Sequence, residues 1–249
     1  MRPAHSPTST GMVSRVGFGR ALLLWMRHIR EPALSVLVVL ELFILFVGTP
    51  LGVLHDLPRS LELLIFAMIG AVGIVVVSHN STALAIILLA LAGSLTTSAL
   101  SRFLSSDLTE YFDFFTNLAF LGVLTWVVGV AVFARGKVTF HRIQGAFAIY
   151  LQIAVMFAFA YSFLFHLSPQ AFSPPVAVNH SGFLPETLSI EPKAIYFSFV
   201  TLTSTGYGDI VPVHPVARSL SSLEAVIGQL FPATLLARLV TLEIQGRRG

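Results

Sequence analysis

The sequence predicts an all-α membrane protein with six transmembrane helices. Three observations carry that prediction: an apolar composition, six apolar runs of about spanning length, and basic residues concentrated in alternate loops. Of 249 residues, 55% are hydrophobic and 11% charged, with mean hydropathy +0.83, whereas a soluble domain averages about 25% charged. This balance excludes a disordered chain, a nucleic-acid-binding domain and an ordinary soluble enzyme, and it calls for lipid as solvent. The chain has no cysteine, which excludes disulfides, thiol catalysis and thiolate metal sites.

A bilayer core roughly 30 Å thick requires about 20 apolar residues at 1.5 Å each. Six runs meet or approach this length: Ala33–Val53, Leu61–Ser78, Ala83–Ser101, Phe112–Ala134, Gln144–Phe165 and Val216–Val240. Between them stand residues suited to turns, such as Leu57-Pro58-Arg59, Ser78-His79-Asn80-Ser81 and Ala134-Arg135-Gly136-Lys137. Ahead of the first run, Phe18–Arg30 mixes leucines and Trp25 with three arginines, the pattern of a helix lying on a membrane surface.

Charge orients the spans. Arg2, Arg15, Arg20, Arg27, Arg30, Arg135, Lys137, Arg142, Arg238, Arg247 and Arg248 fall on one side, eleven of the fifteen basic residues. The other side holds most of the acids, including Asp56, Glu62, Asp107, Glu110, Asp113, Glu186, Glu191 and Asp209. The positive side faces the cytoplasm. The expectation is a multi-pass protein of the cell membrane, specifically a bacterial inner membrane, with both termini cytoplasmic and lipids as partners. Three regions follow: a cytoplasmic tail with its interfacial helix over 1–31, a four-helix transmembrane domain over 32–137, and a last region over 138–249.

The fifth and sixth runs are joined by the one long extracellular connection. His166–Pro192, rich in Pro, Ser and Asn, reads as an irregular loop. Pro192 then opens an apolar segment to Thr203 that is too short to span, so a re-entrant half-helix is expected. It runs into Ser204-Thr205-Gly206-Tyr207-Gly208-Asp209.

From Thr201 to Asp209 the sequence resembles the potassium-channel signature T-x-x-T-x-G-Y-G-D, with Ser204 where that family usually has Thr and Thr205 where it has Val or Ile. The chain is thereby similar to the potassium-channel pore-domain superfamily over about Ile143 to Val240. The resemblance implies passive potassium conduction through an extended selectivity filter, with no catalytic residue and no cofactor beyond the permeant ion. Potassium would be held at Ser204, Thr205, Gly206 and Tyr207. A filter exchanges the water shell of an ion for backbone oxygens. The unusual backbone angles this needs fit Gly206 and Gly208. One chain supplies one strand, so a homotetramer is implied.

Support for the filter is expected from Thr201, Thr203, Asp209, Tyr196, Phe197 and Glu224. Tyr196 is expected to donate to Asp209, and Tyr207 to pack on the half-helix near Phe197. Ser204 keeps a hydroxyl but loses the methyl that restricts a Thr rotamer, which predicts a looser innermost site and keeps a weakly selective cation channel as the rival reading. Gly228 and Pro232 are expected to bend the last helix as a gate or hinge.

Glu41 and Glu224 are acids inside spans and hence functional candidates; Gln229 is the polar neighbour of Glu224. A voltage sensor needs recurring basic residues in the fourth span, and Phe112–Ala134 has none, so weak or absent voltage dependence is expected. Gly206-Tyr207-Gly208-Asp209 also satisfies the G-x-G-D of intramembrane aspartyl proteases, with Asp113 as the one conceivable partner, but Asp209 follows a half-helix rather than a full span. A non-conducting modulatory subunit is the remaining class.

Overall fold

The structure, a computed structural model, describes residues 32–50, 59–77, 81–100, 107–133, 139–174 and 192–248. The arginine-rich tail and its expected interfacial helix lie outside them. Seven helices form in the described residues. Helix α1 covers Pro32–Gly48 and widens into a π-helical turn at Ile44–Gly48. Then come α2 (Arg59–Val77), α3 (Ser81–Leu100), α4 (Asp107–Val132), α5 (Phe140–Leu167), the short α6 (Pro192–Leu202) and α7 (Pro215–Arg248).

Among the described residues, four helices are long and apolar enough to cross a membrane: Ser81–Leu100, Tyr111–Val132, Phe140–Leu167 and Pro215–Arg238. The first two runs give the shorter apolar stretches Pro32–Gly48 and Ala67–Val76. Helices α4 and α5 begin ahead of their apolar runs, because polar residues are ordinary in a first turn, where the backbone donors need no helical partner.

Helices α2, α3, α4 and α5 pack one on the next, and α5 then packs on α6 and α6 on α7. Leu37, Val76, Ile87, Phe120, Leu124, Val128 and Ala148 form the buried centre of the first five helices. Gly73 permits the close approach of α2, since a Cβ there would lie 2.6 Å from Leu124 and 2.8 Å from Ile87.

Polar side chains inside this apolar layer are paired across helices, as a low-dielectric setting demands. Between α3 and α4, Ser94 bonds Asn117, while Thr97 (3.1 Å) and Ser98 (2.5 Å) donate to Asp113. Between α1 and α5, Ser35 bonds both His141 and Gln144, and Gln152 Nε2 donates to Glu41 at 2.6 Å. Glu41 is thus a buried acceptor at the α1–α5 seam.

The connection after α5 is more ordered at its start than an irregular loop. Helix α5 runs through His166 and Leu167, a 3-10 turn covers Pro169–Ala171, and β1 (Phe172–Ser173) pairs antiparallel with β2 (Val211–Pro212). The Ala171 carbonyl also accepts from Val213 (2.9 Å) and His214 (3.1 Å). These bonds clasp the start of the connection to the segment that follows Asp209. The remainder, 175–191, lies outside the described residues.

Candidate functional site

Helix α6 is eleven residues, long enough for three turns and too short to span. Its buried face is Ala194, Phe197, Ser198 and Leu202, at helical spacing. Phe197 packs edge-on against Tyr161 of α5 (4.8 Å between centroids) and Phe172 of β1 (5.3 Å). The small Ala217 lets the start of α7 close the same cluster.

This corrects the expected position of Phe197. Adjacent helical residues point about 100° apart, so Phe197 and Tyr196 cannot both face the strand beyond the helix. Tyr196 does: its ring stacks on Tyr207, with centroids 6.3 Å apart and planes 2° apart. Tyr196 Oη donates to Asp209 Oδ2 at 2.8 Å. That bond first, then desolvation, and then the charge of the carboxylate raise the Tyr196 phenol above its ordinary pKa. Asp209 also accepts from its neighbour's amide, Ile210 N, at 3.1 Å.

The end of α6 is capped by the strand that leaves it. Thr203 N donates to Phe199 O, Ser204 N to Thr201 O, and Thr205 N and Gly206 N both to Val200 O. This satisfies carbonyls that a helix C-terminus leaves open. The reversal requires left-handed backbone, and Ser204 supplies it at φ +55°. Positive φ then recurs at Gly206 (+55°) and Gly208 (+79°). Space is not what requires these glycines, since a Cβ at either would meet nothing within 4 Å; the backbone angle is. Left-handed residues alternating with right-handed ones turn successive carbonyls of an extended strand toward one side.

Residues 203–209 are exposed in a single chain, Tyr207 at 71%. The oxygens gathered here are backbone carbonyls and the hydroxyls of Thr203, Ser204 and Thr205. Thr203 donates to Phe199 O (2.7 Å) and lies 2.9 Å from the Thr205 hydroxyl. Thr201, which opens the motif, contributes its carbonyl to Ser204 N.

Behind the strand, three helices converge on one carboxylate. Glu224 of α7 is fully buried and accepts from Tyr161 Oη of α5 at 2.6 Å. Its other oxygen bonds Ser198 of α6, and Ser198 Oγ lies 2.7 Å from Ala154 O of α5. Glu224 therefore sits fully buried against α6.

One turn on, Gly228 faces the end of α6. A Cβ there would lie 2.7 Å from the Leu202 carbonyl carbon and 3.1 Å from its Cα. The same Leu202 carbonyl accepts from Tyr150 Oη of α5 at 3.2 Å. The close approach brings Gln229 Nε2 to 2.8 Å from Ser204 Oγ. Pro232 lies inside α7, which continues through it. Lower down, Arg238 Nη2 donates to Phe133 O at the end of α4 (3.0 Å), and its guanidinium lies 4.7 Å from the Phe133 ring centroid.

The sequence motif located the strand; Tyr161, Ser198 and Tyr150 carry no motif and were found only by their contacts. The one signal they offer is a polar tip in an apolar segment, which in lipid must find a partner.

Residues 149–244, from within α5 through α6 and the strand into α7, match the model of a family described as ion channel. Two curated relatives, both named Protein LctB, are similar to the chain. The one from Bacillus caldotenax is 29% identical over 120 residues, 48% of this chain and 86% of its own length. The one from Geobacillus stearothermophilus is 29% identical over 132 residues, 50% of this chain and 95% of its own. No solved structure matches. The family match supports ion-channel function, and the apolar helices together with that domain mark a membrane protein.

Proposed function

We propose that four copies of this chain form a potassium-selective channel that conducts passively, with residues 204–208 of each copy as one wall of the filter. The observation that carries this reading is positive φ at 204, 206 and 208 directly after a short re-entrant helix. Such a strand offers potassium a ladder of oxygens from Ser204, Thr205, Gly206 and Tyr207 in place of its water shell. Asp209 and the Tyr196–Tyr207 stack hold the outer end, and α6 directs the negative end of its dipole inward, favouring a cation there.

The exposed faces support the assembly. Only 11% of the spanning window of α7 is buried within one chain, the same as for α3 and against 50% for α5. Leu223, Val226, Leu230 and Leu236 lie open on α7, as does the whole strand. A ring of four copies covers such surfaces, and lipid covers the rest. In this reading α1 and α2 complete a six-span fold with both termini in the cytoplasm, and α4, lacking basic residues, confers no voltage gating.

The test is potassium flux from liposomes carrying the purified protein. Flux blocked by barium and abolished by Gly206→Ala is expected; no flux under any condition would leave a non-conducting subunit. Ser204 favours the second reading, a weakly selective monovalent cation channel. Reversal potentials in mixed potassium and sodium separate the two.

A further inference from the structure

We propose that Gln229 is a specificity-determining residue of the innermost ion site, acting by fixing the hydroxyl of Ser204. The inference rests on the reading of residues 204–208 as a filter.

The serine sits at an unusual backbone angle. Ser204 has φ +55°. A non-glycine residue at positive φ is uncommon, and a β-branched one is a true outlier there, because its second Cβ substituent crowds the backbone. At this turn serine keeps the hydroxyl without the second Cβ branch. The exchange has a cost: without the methyl, the hydroxyl is free to sample three staggered positions. An oxygen that wanders discriminates poorly between cations of different radius.

Gln229 removes that freedom. Its Nε2 donates to Ser204 Oγ at 2.8 Å, a normal hydrogen-bond length. A hydroxyl offers two acceptor lone pairs and one proton. The amide occupies one lone pair, and the second stays available to a cation at a fixed place. The contact depends on how closely α7 meets α6. Gly228, the preceding residue, has no Cβ to strike Leu202, and Tyr150 holds the Leu202 carbonyl from α5. A glycine contact and a tyrosine contact thus set the distance across which Gln229 reaches Ser204.

A double-mutant cycle tests this on the purified full-length protein in planar bilayers. The variants are Ser204→Ala, Gln229→Met and the pair, with Gln229→Leu as a second variant lacking the donor. Barium, a divalent ion of nearly the radius of potassium, is applied from the cytoplasmic side, and reversal potentials report permeability to sodium. Each single variant is expected to weaken barium block and lower the potassium preference by up to about tenfold, the size of one hydrogen bond. The pair is expected to do no worse than Ser204→Ala alone, because Gln229 acts only through the hydroxyl. Losses that add in the pair, or wild-type block and selectivity in both Gln229 variants, would overturn the proposal. A wild type that passes no cation would overturn the filter reading and this proposal together, an outcome distinct from additive losses in a conducting channel.

Discussion

Tyr161 of α5 donates its hydroxyl to Glu224 of α7 at 2.6 Å, in a site with no solvent exposure of either side chain. With Ser198 of α6 on the other carboxyl oxygen, the pair ties α5, α6 and α7 at one point. None of these three residues lies in the strand, yet they hold the helix that delivers it. The arrangement resembles a buried polar network, in which each member is costly once its partner is gone.

Removing the carboxylate therefore leaves the buried Tyr161 hydroxyl without its acceptor, while Ser198 keeps the Ala154 carbonyl at 2.7 Å. Glu224→Ala is expected to destabilise the protein by about 1–3 kcal/mol for the orphaned Tyr161 donor, read as a lower midpoint of thermal unfolding in detergent. Glu224→Gln retains an acceptor for Tyr161 and a group within reach of Ser198, so its loss should be smaller. Equal midpoints for Ala and Gln would show that packing, not hydrogen bonding, joins the three helices.

At the outer end, Tyr196→Phe separates two contacts that the wild type combines. The ring stack on Tyr207 survives, while the bond to Asp209 is lost. Decay of current during sustained conduction should quicken several-fold, and Asp209→Asn should do the same. The pH dependence has a definite sign. Because the bond raises the Tyr196 phenol above its ordinary 10.0, its bracing is fully present below pH 10 and is lost as pH rises through the raised value. Current stability should thus be flat across neutral pH and fall only in strong alkali. A fall near neutrality would assign the bracing to another group.

The parts of this site legible in sequence are those where the backbone itself is unusual. Gly206 and Gly208 advertise their angles, and Pro192 marks a helix start, because no other residue types do those tasks as well. The cross-helix partners were hidden for a different reason. Tyr161 and Glu224 are 63 residues apart, and Ser198 and Glu224 are 26 apart, each within an apolar helix whose amphipathic pattern is weak because lipid and protein are both apolar. Helical phase, which the sequence does not display over so short a helix, decides that Tyr196 rather than Phe197 turns to the strand of its own chain. The clasp of Phe172–Ser173 on Val211–Pro212 is too short to leave a periodic signal.

Gly228 and Pro232 make separable predictions. Alanine normally favours a helix over glycine by about 1 kcal/mol, so a simple hinge would stiffen in Gly228→Ala while remaining assembled. Here the added Cβ meets the Leu202 backbone, which cannot swing aside as a side-chain end can. Gly228→Ala should then abolish potassium flux and lower thermal stability together. Pro232→Ala adds the missing amide donor to α7 without touching α6, and should alter open probability at unchanged ion selectivity. A stable, conducting Gly228→Ala would place the role of this residue in bending alone.

The voltage response is the last expectation. Each elementary charge moved across the bilayer contributes about 2.3 kcal/mol per 100 mV, and α4 carries no basic residue from Asp107 to Val132. What α4 does carry is a mechanical link: its terminal Phe133 carbonyl and ring both engage Arg238 of α7. This contact lies at the end of α4, where a cation is favoured by the open carbonyls. Recordings in symmetric potassium should show conductance varying little between negative and positive potentials, and Arg238→Gln should change open probability without creating or abolishing voltage dependence. A steep conductance–voltage relation in the wild type would require gating charge outside α4 and would overturn the assignment of α4 as a passive support.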